Sequence, residues 1–292
     1  MLRLRLLRTR ADFAANRMPT IEENRSWGKY SWPEEGNEWS REWGDVETHW
    51  NATIFPRIRN FLPAKRVLEI APGFGRWTAF LIDCSDEYIG IDLNPECVSA
   101  CQVRFAGADH AKFVANDGKS LAAVADNSID FAFSFDSLVH AEMDVIDGYL
   151  GELSRKLSVD GVAFLHHSNL GEYSMAALKI SRRLWVQPTT WPTAGILRRL
   201  QLSFWDHWRG PSVTAQKVAD SALGTGLVCI GQEIINWGLH NRRTVDCLSV
   251  LARAGSKWQR PNVVVRNPYF VAEAHSARAI SEVYTSLNKR QL

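Results

Sequence analysis

Apolar and polar positions fall into short alternating blocks from residue 67 onward. Val67-Leu68-Glu69-Ile70 is a brief, mostly apolar run, the pattern of a strand covered on both faces. Ala71-Pro72-Gly73-Phe74-Gly75 breaks it, and Arg76 to Asp83 then reads as a helix carrying Trp77, Phe80, Leu81 and Ile82. Tyr88 to Ile91 predicts a second strand, His110 to Ala115 a third, and Asn127 to Ser134 a turn running into a fourth. A helix follows with Ile146, Leu150, Leu153 and Leu157 on one face, and Val162 to His167 is a fifth strand. Beyond Pro211 the pattern gives a helix from Val213 to Gly226 and strands at Val228–Ile235 and Thr244–Leu251. Upstream, Trp50, Ile54, Ile58 and Phe61 recur at helical spacing from about Val46. Strands alternating with helices predict an α/β fold, a doubly wound, mostly parallel, seven-stranded sheet with right-handed crossovers.

The same pattern divides the chain. Residues 1–45 form a basic and Trp-rich lead-in, and 46–253 the main domain. Residues 168–212 are a long insertion within it, a helical and aromatic cap, and 254–292 a tail with a helix from Val271 to Leu287. Composition adds limits. Of 292 residues, 46% are apolar and 23% charged, which excludes a disordered or collagenous chain. A formal net charge of +2 argues against a dedicated duplex-DNA binder. No run reaches the roughly 18 apolar residues of a membrane span. The five Cys match no metal-ligand spacing and read as reduced residues of a cytoplasmic protein. Residues 1–10, MLRLRLLRTR, read either as a frayed start or as a basic segment touching an anionic membrane surface. Five of the 12 Trp (27, 32, 39, 43 and 50) fall within one short stretch and need burial, either as packing anchors or as the roof of a pocket.

The chemistry gathers at the strand ends, where ligands bind in such sheets. Gly73 and Gly75 in the first turn let a ligand approach the backbone closely. A dinucleotide fingerprint needs a third glycine where Thr78 stands, and a phosphate loop needs a Gly-Lys-Ser/Thr that is absent. Asp92 closes the second strand, 17 residues after Gly75, placed to accept two ribose hydroxyls. Asn116-Asp117 closes the third strand, and Phe135-Asp136-Ser137 the fourth.

This ordered set resembles the class I S-adenosylmethionine (SAM)-dependent methyltransferases. The resemblance rests on Glu69-Ile70-Ala71-Pro72-Gly73-Phe74-Gly75, on Asp92, on Asn116-Asp117, and on Ser128-Ile129-Asp130-Phe131 leading into the fourth strand. It spans roughly residues 46–170, with a continuation at 212–253, where the family ends its sheet in an antiparallel pair. Ala71 stands where the family has its first glycine. The resemblance implies SAM as cofactor. Glu69, Gly73 and Gly75 would line its methionine and ribose end, Asp92 would hold the ribose diol, Asn116 and Asp117 would face the adenine, and Phe135 and Asp136 would sit beside the sulfonium.

The acceptor side is less determined. The Asn/Asp-Pro-Pro-aromatic motif of base methyltransferases is missing after the fourth strand, which disfavours nucleic-acid amines. A hydroxyl acceptor needs a base, and His140, His166 and His167 stand near the relevant strand ends. Strand alternation puts one ring of the His166-His167 pair on each face, so one at most reaches a ligand. His140 leads as base, with Asp136 and His167 as further catalytic candidates. His140, Glu142, Asp144 and Asp136 lack a recognised metal-ligand spacing, so no metal is assigned. The insertion carries Arg182, Arg183, Trp185, Trp191, Arg198, Arg199, Trp205, Trp208 and Arg209. Indole faces stack on sugars and Arg pairs with phosphate or carboxylate; the same residues equally suit packing with a solvated basic face, or membrane contact through residues 181–209. The wider sequence is similar to methyltransferases of polysaccharide biosynthesis. The expectation is therefore O-methylation of a sugar hydroxyl on a polysaccharide or glycolipid, by a cytoplasmic protein or one peripheral at the inner membrane face. A small-molecule or lipid methyltransferase and a non-catalytic SAM-fold binding protein are the alternatives.

Overall fold

The computed structural model describes residues 20–173, 209–238 and 243–288. Most of the expected insertion, residues 174–208, and the basic segment 1–10 lie outside them.

The strands are β1 (Ala64–Ile70), β2 (Ser85–Asp92), β3 (Ala111–Ala115), β4 (Ile129–Ser134), β5 (Leu157–Ser168), β6 (Leu227–Ile235), β7 (Asp246–Arg253) and β8 (Val264–Asn267). They form one sheet in the order β3-β2-β1-β4-β5-β7-β6-β8. β1 pairs in parallel with β2 and β4, β2 with β3, and β4 with β5; β7 runs antiparallel to both β5 and β6. The sheet thus has eight strands, not the seven expected. The extra strand lies in the tail and pairs in parallel with β6. Val263, Val264 and Val265 are each more than half exposed, so β8 has no buried face and leaves no alternation for a sequence reading to find.

Helices cover both faces. α1 (Thr78–Ile82), α2 (Pro95–Arg104) and α5 (Phe270–Asn288) share one face with a lead helix that runs from Val46–His49 through a π turn at Trp50–Ile54 to Phe55–Ile58. Trp43, Trp50, Ile54, Ile58, Phe133, Phe164 and Phe270 fill that layer, and Trp50 stacks on Phe80 at 4.8 Å. α3 (Met143–Lys156) and α4 (Ala215–Gly224) cover the other face through Ile146, Leu150, Leu153 and Val218. The stripe in α3 has the spacing that buries one side of a helix. Thr214 caps α4 by accepting from Lys217 N at 3.1 Å.

After β3 the chain returns to pair β4 on the far side of β1. Strand order therefore reverses between β1 and β4, and the crevice beyond their carboxyl ends is where such sheets take ligands. No helix among the described residues is long and apolar enough to cross a membrane.

Candidate active site

The turn after β1 is built on left-handed backbone. Ala71, Gly73 and Gly75 have φ of 58°, 59° and 88°. Gly75 permits no side chain, because a Cβ there would lie 2.5 Å from Phe105 Cε2. The turn is tied to β2 by Ala71 N donating to Ile91 O at 2.7 Å and Gly73 N donating to Asp92 Oδ2 at 3.0 Å. Asp92 Oδ1 also accepts from Asn94 N at 2.8 Å. An ionised carboxylate offers about four lone-pair sites, so these bonds leave acceptor capacity at the crevice. Burial pushes the Asp92 carboxyl up to about 6 against those backbone donors. Glu69 is buried beneath the turn, accepting from Thr78 Oγ1 at 2.8 Å and from the Tyr88 hydroxyl, and burial raises it to about 7.

At the carboxyl ends of β2 and β3 a cavity of about 320 Å³ is lined by Ile91, Val114, Ala115, Asn116, Asp117, Ser120, Ala122 and Ala123; Asp92 and the glycine turn do not line it. Small-molecule sites span roughly 300–1,000 Å³. Asn116 is locked in place, donating to Ser120 O at 2.8 Å and Tyr149 Oη at 3.1 Å and accepting from Gly118 N at 3.0 Å. Asp117 is exposed and takes Lys119 N and Ser120 N on Oδ1, and those backbone N–H groups hold its carboxyl below the usual range. The left-handed turn and the acceptor at Asp92 suit a ribose, and the mostly apolar cavity at the next strand end suits a base such as adenine.

The lead-in roofs the turn. A Cβ on Gly73 would meet Trp32 Cη2 at 3.0 Å, and Trp32 stacks on Phe74 at 4.9 Å. Asn24 Nδ2 donates to His140 O at 2.8 Å, and the His140 ring lies 5.3 Å from that of Trp27. The sequence leaves open whether these Trp anchor or roof. Trp43 and Trp50 are core residues, whereas Trp27 and Trp32 sit above the crest.

On the far side of the turn, Asp136 has φ of 60° and forms a buried ion pair with Arg76, Nη2 to Oδ2 at 2.7 Å. Its backbone N–H donates to His166 Nδ1 at 3.0 Å, and Phe135 packs on the same ring at 4.5 Å. His166, fully buried, points Nε2 to within 3.4 Å of Asp246 Oδ2 without an aligned hydrogen bond. Asp246 is gripped by Arg209 at 2.9 and 2.7 Å, and that guanidinium holds its carboxyl far below the usual range despite burial. His167 faces away, its nitrogens engaged by Ser168 O and Ser249 Oγ, both at 2.8 Å, and burial drops it to about 4. The structure therefore brings Asp136, Phe135 and His166 together, leaves His140 under the roof, and sets His167 apart with both nitrogens used.

Two participants carry little sequence signal. Arg76 directly follows the glycine turn, a position where a charge is a readable clue. His49 is fully buried against Trp43 at 3.7 Å and Trp77 at 4.8 Å, but the periodic signal marks its neighbour Trp50 instead. His49 Nε2, Trp43 Nε1, Trp77 Nε1 and Arg76 Nη1 are buried without a partner. Each such group costs roughly 1–3 kcal/mol. Among the described residues no three His, Cys, Asp or Glu side chains are grouped to hold a metal ion.

Residues 67–161 match the family model described as a methyltransferase domain. No curated protein sequence matches the chain. A SAM-dependent methyltransferase from Clostridium acetobutylicum superposes with a TM-score of 0.50 at 11% identity, over 74% of this chain and 92% of that one. A protein of Pyrococcus horikoshii gives 0.48 at 17% identity, over 69% and 88%. A TehB-like SAM-dependent methyltransferase from Corynebacterium glutamicum gives 0.43 at 15% identity, over 65% and 80%. At 11% identity the Clostridium superposition speaks for the fold alone; the matched span itself holds Glu69, the glycine turn, Asp92, Asn116, Asp117 and Asp136. Residues 67–161 carry a methyltransferase domain, and the fold is one shared with a SAM-dependent methyltransferase.

Proposed function

We propose that the acceptor atom is an oxygen, with a sugar hydroxyl of a glycan or a small hydroxylated molecule as the acceptor class. The observation that carries the proposal is the asymmetry of the crest: a cavity at the ends of β2 and β3 next to the Asp92 acceptor's strand end, and a polar, aromatic region around Asp136 and His166 at the other end. The Trp- and Arg-rich insertion supports a sugar, since indole faces stack on sugar rings; its residues 174–208 lie outside the described ones. SAM, when bound, supplies a methyl group on a positively charged sulfur.

In this reading Asp92 accepts from the ribose diol, and the turn at Gly73 and Gly75 admits the cofactor against the backbone. The walls at Asn116 and Asp117 enclose the adenine, while Glu69 stiffens the turn from below. Phe135 and the Asp136 carboxylate border the sulfonium. His140 takes the hydroxyl proton from the half-exposed position under Trp27. His167 has no nitrogen to spare, and its proposed place passes to His166, which positions Asp136 through its backbone N–H. Aligning the two reactants supplies most of the acceleration in such a transfer.

Calorimetry with S-adenosylhomocysteine tests the cofactor half. Binding should weaken at least tenfold in Asp92→Ala, in line with losing charge-assisted hydrogen bonds; equal affinity in both proteins rejects the assignment. Methyl transfer screened against hydroxylated glycans, small hydroxy compounds and lipids tests the acceptor half. Turnover on lipids alone refutes it. His140→Ala should depress turnover by 10²-fold or more with cofactor affinity unchanged.

A further inference from the structure

Asp136 stands on left-handed backbone, φ of 60°, which a residue other than glycine rarely adopts. Such a conformation persists only where its surroundings over-determine it. Two contacts do so here. The carboxylate is paired with Arg76, Nη2 to Oδ2 at 2.7 Å, and the backbone N–H donates to His166 Nδ1 at 3.0 Å.

The second contact depends on which nitrogen of His166 carries the hydrogen. To accept from Asp136, Nδ1 must be bare, so the hydrogen of the neutral ring sits on Nε2. In the antiparallel pairing of β5 and β7, His166 lies opposite Leu248 and Ser168 opposite Asp246, which puts Asp246 diagonally across from His166 on the same face. Asp246 Oδ2 is 3.4 Å from Nε2. A carboxylate only accepts, so it favours the Nε2–H form. Arg209, one of the basic residues of the insertion, is 4% exposed rather than solvated. It grips Asp246 through Nε at 2.9 Å and Nη2 at 2.7 Å, which keeps the carboxylate seated and ionised. The imidazole is also held by rings: Phe135 packs on it at 4.5 Å, and Trp237 stacks on it at 5.4 Å with the Arg209 guanidinium over the indole.

We infer that Asp246, seated by Arg209, is a positioning residue: through the tautomer of His166 it sets the backbone of Asp136, and with it the place of the Asp136 carboxylate beside the cofactor's sulfur. The inference rests on the reading that Phe135 and Asp136 border the sulfonium. Arg209, Asp246 and His166 act through Asp136 and not on the reacting atoms.

The charge on sulfur supplies the test. SAM is cationic there and S-adenosylhomocysteine is neutral, so the ratio of their affinities reads the carboxylate, whereas general damage to the site weakens both. Calorimetry on the full-length protein gives both affinities. If the unaltered protein binds neither ligand, the cofactor reading fails and the inference with it. Asp136→Asn is the reference and should lower the ratio of SAM to S-adenosylhomocysteine affinity; an unchanged ratio there removes the sulfonium placement and the inference built on it. In Asp246→Asn, Arg209 keeps the amide oxygen, so the amide NH2 turns to Nε2 and the ring hydrogen moves to Nδ1. Two donors then face each other at Asp136. SAM affinity should fall about fivefold or more, with S-adenosylhomocysteine affinity within about twofold of the unaltered protein. His166→Leu removes the acceptor, should give the same split, and serves if Asp246→Asn does not fold. His166→Asn, whose amide oxygen replaces Nδ1, should restore the ratio. With Asp136→Asn lowering the ratio, three results overturn the inference alone: a ratio unmoved in Asp246→Asn and His166→Leu, equal loss of both ligands, or His166→Asn no better than His166→Leu.

Discussion

The two ends of the crest solve the problem of buried polarity in opposite ways. At the nucleoside end every buried polar group has a partner of its own: Glu69 with Tyr88 and Thr78, Asn116 with Ser120 and Tyr149, Asp92 with two backbone N–H groups. At the acceptor end one tight network, Arg209–Asp246 with His166, stands beside nitrogens that have none. A self-satisfied end is preorganised before its ligand arrives. An end with unpartnered donors carries a burial cost that the polypeptide itself does not offset.

The sharpest way to break the comparison is at the acceptor end. Asp246→Ala strips the partner from a buried Arg209 and from His166. Loss of one member of a buried ion pair typically costs 3–5 kcal/mol, and urea unfolding should show a destabilisation in that range. S-adenosylhomocysteine affinity per folded molecule should hold, since Asp246 is remote from the cavity. A large loss of cofactor affinity would show that the two ends are one unit. Gly75→Ala attacks the other end. The added Cβ meets Phe105 at 2.5 Å on a backbone with φ of 88°, and strain plus overpacking should cost about 2–4 kcal/mol. Here cofactor affinity should fall together with stability.

The two ends also differed in how far sequence could reveal them. Glycines, a terminal Asp and an Asn-Asp pair are local signals, each fixed to a strand end by a short apolar run, so the nucleoside end was readable from about fifty consecutive residues. The acceptor end is assembled from residues 43, 49, 76, 136, 166, 209, 237 and 246. Its partners meet only because β7 inserts antiparallel between β5 and β6. His166 and His167 show the limit: alternation says one ring faces each way, but not which one meets Asp136. β8 escaped notice for a related reason, since an exposed edge strand has no buried face to impose a period.

Titration sharpens the contrast at moderate size. Burial lifts the Asp92 carboxyl from its ordinary range near 4 to about 6. A carboxyl whose folded value is raised binds more protons in the native state than in the unfolded one, so its stabilising contribution is present below about pH 4 and is lost as pH rises through about 6. A rise of that size corresponds to about 3 kcal/mol. Glu69, raised to about 7, extends the same trend toward neutrality. The cofactor-free protein should therefore lose stability between pH 4 and 7, and Asp92→Asn should flatten the lower part of that profile in urea titrations at fixed ionic strength. A profile rising across this window would mean that the Gly73 and Asn94 donors outweigh burial.

The smallest effect concerns Ala71. Its φ of 58° places an L-residue where the related turn carries glycine, and its N–H must still reach Ile91 O. A left-handed non-glycine residue costs roughly 1–2 kcal/mol, and glycine returns part of that gain through the wider freedom of its unfolded chain, about 0.5–1 kcal/mol. Ala71→Gly should thus stabilise the protein by up to about 1 kcal/mol, read as a higher urea midpoint with unchanged slope. Cofactor affinity should not move, because the methyl group is removed from a turn that Asp92 and Gly73 already hold. A tighter cofactor would instead mean that Ala71 restrains the turn from closing on its ligand, and the nucleoside end would no longer count as preorganised.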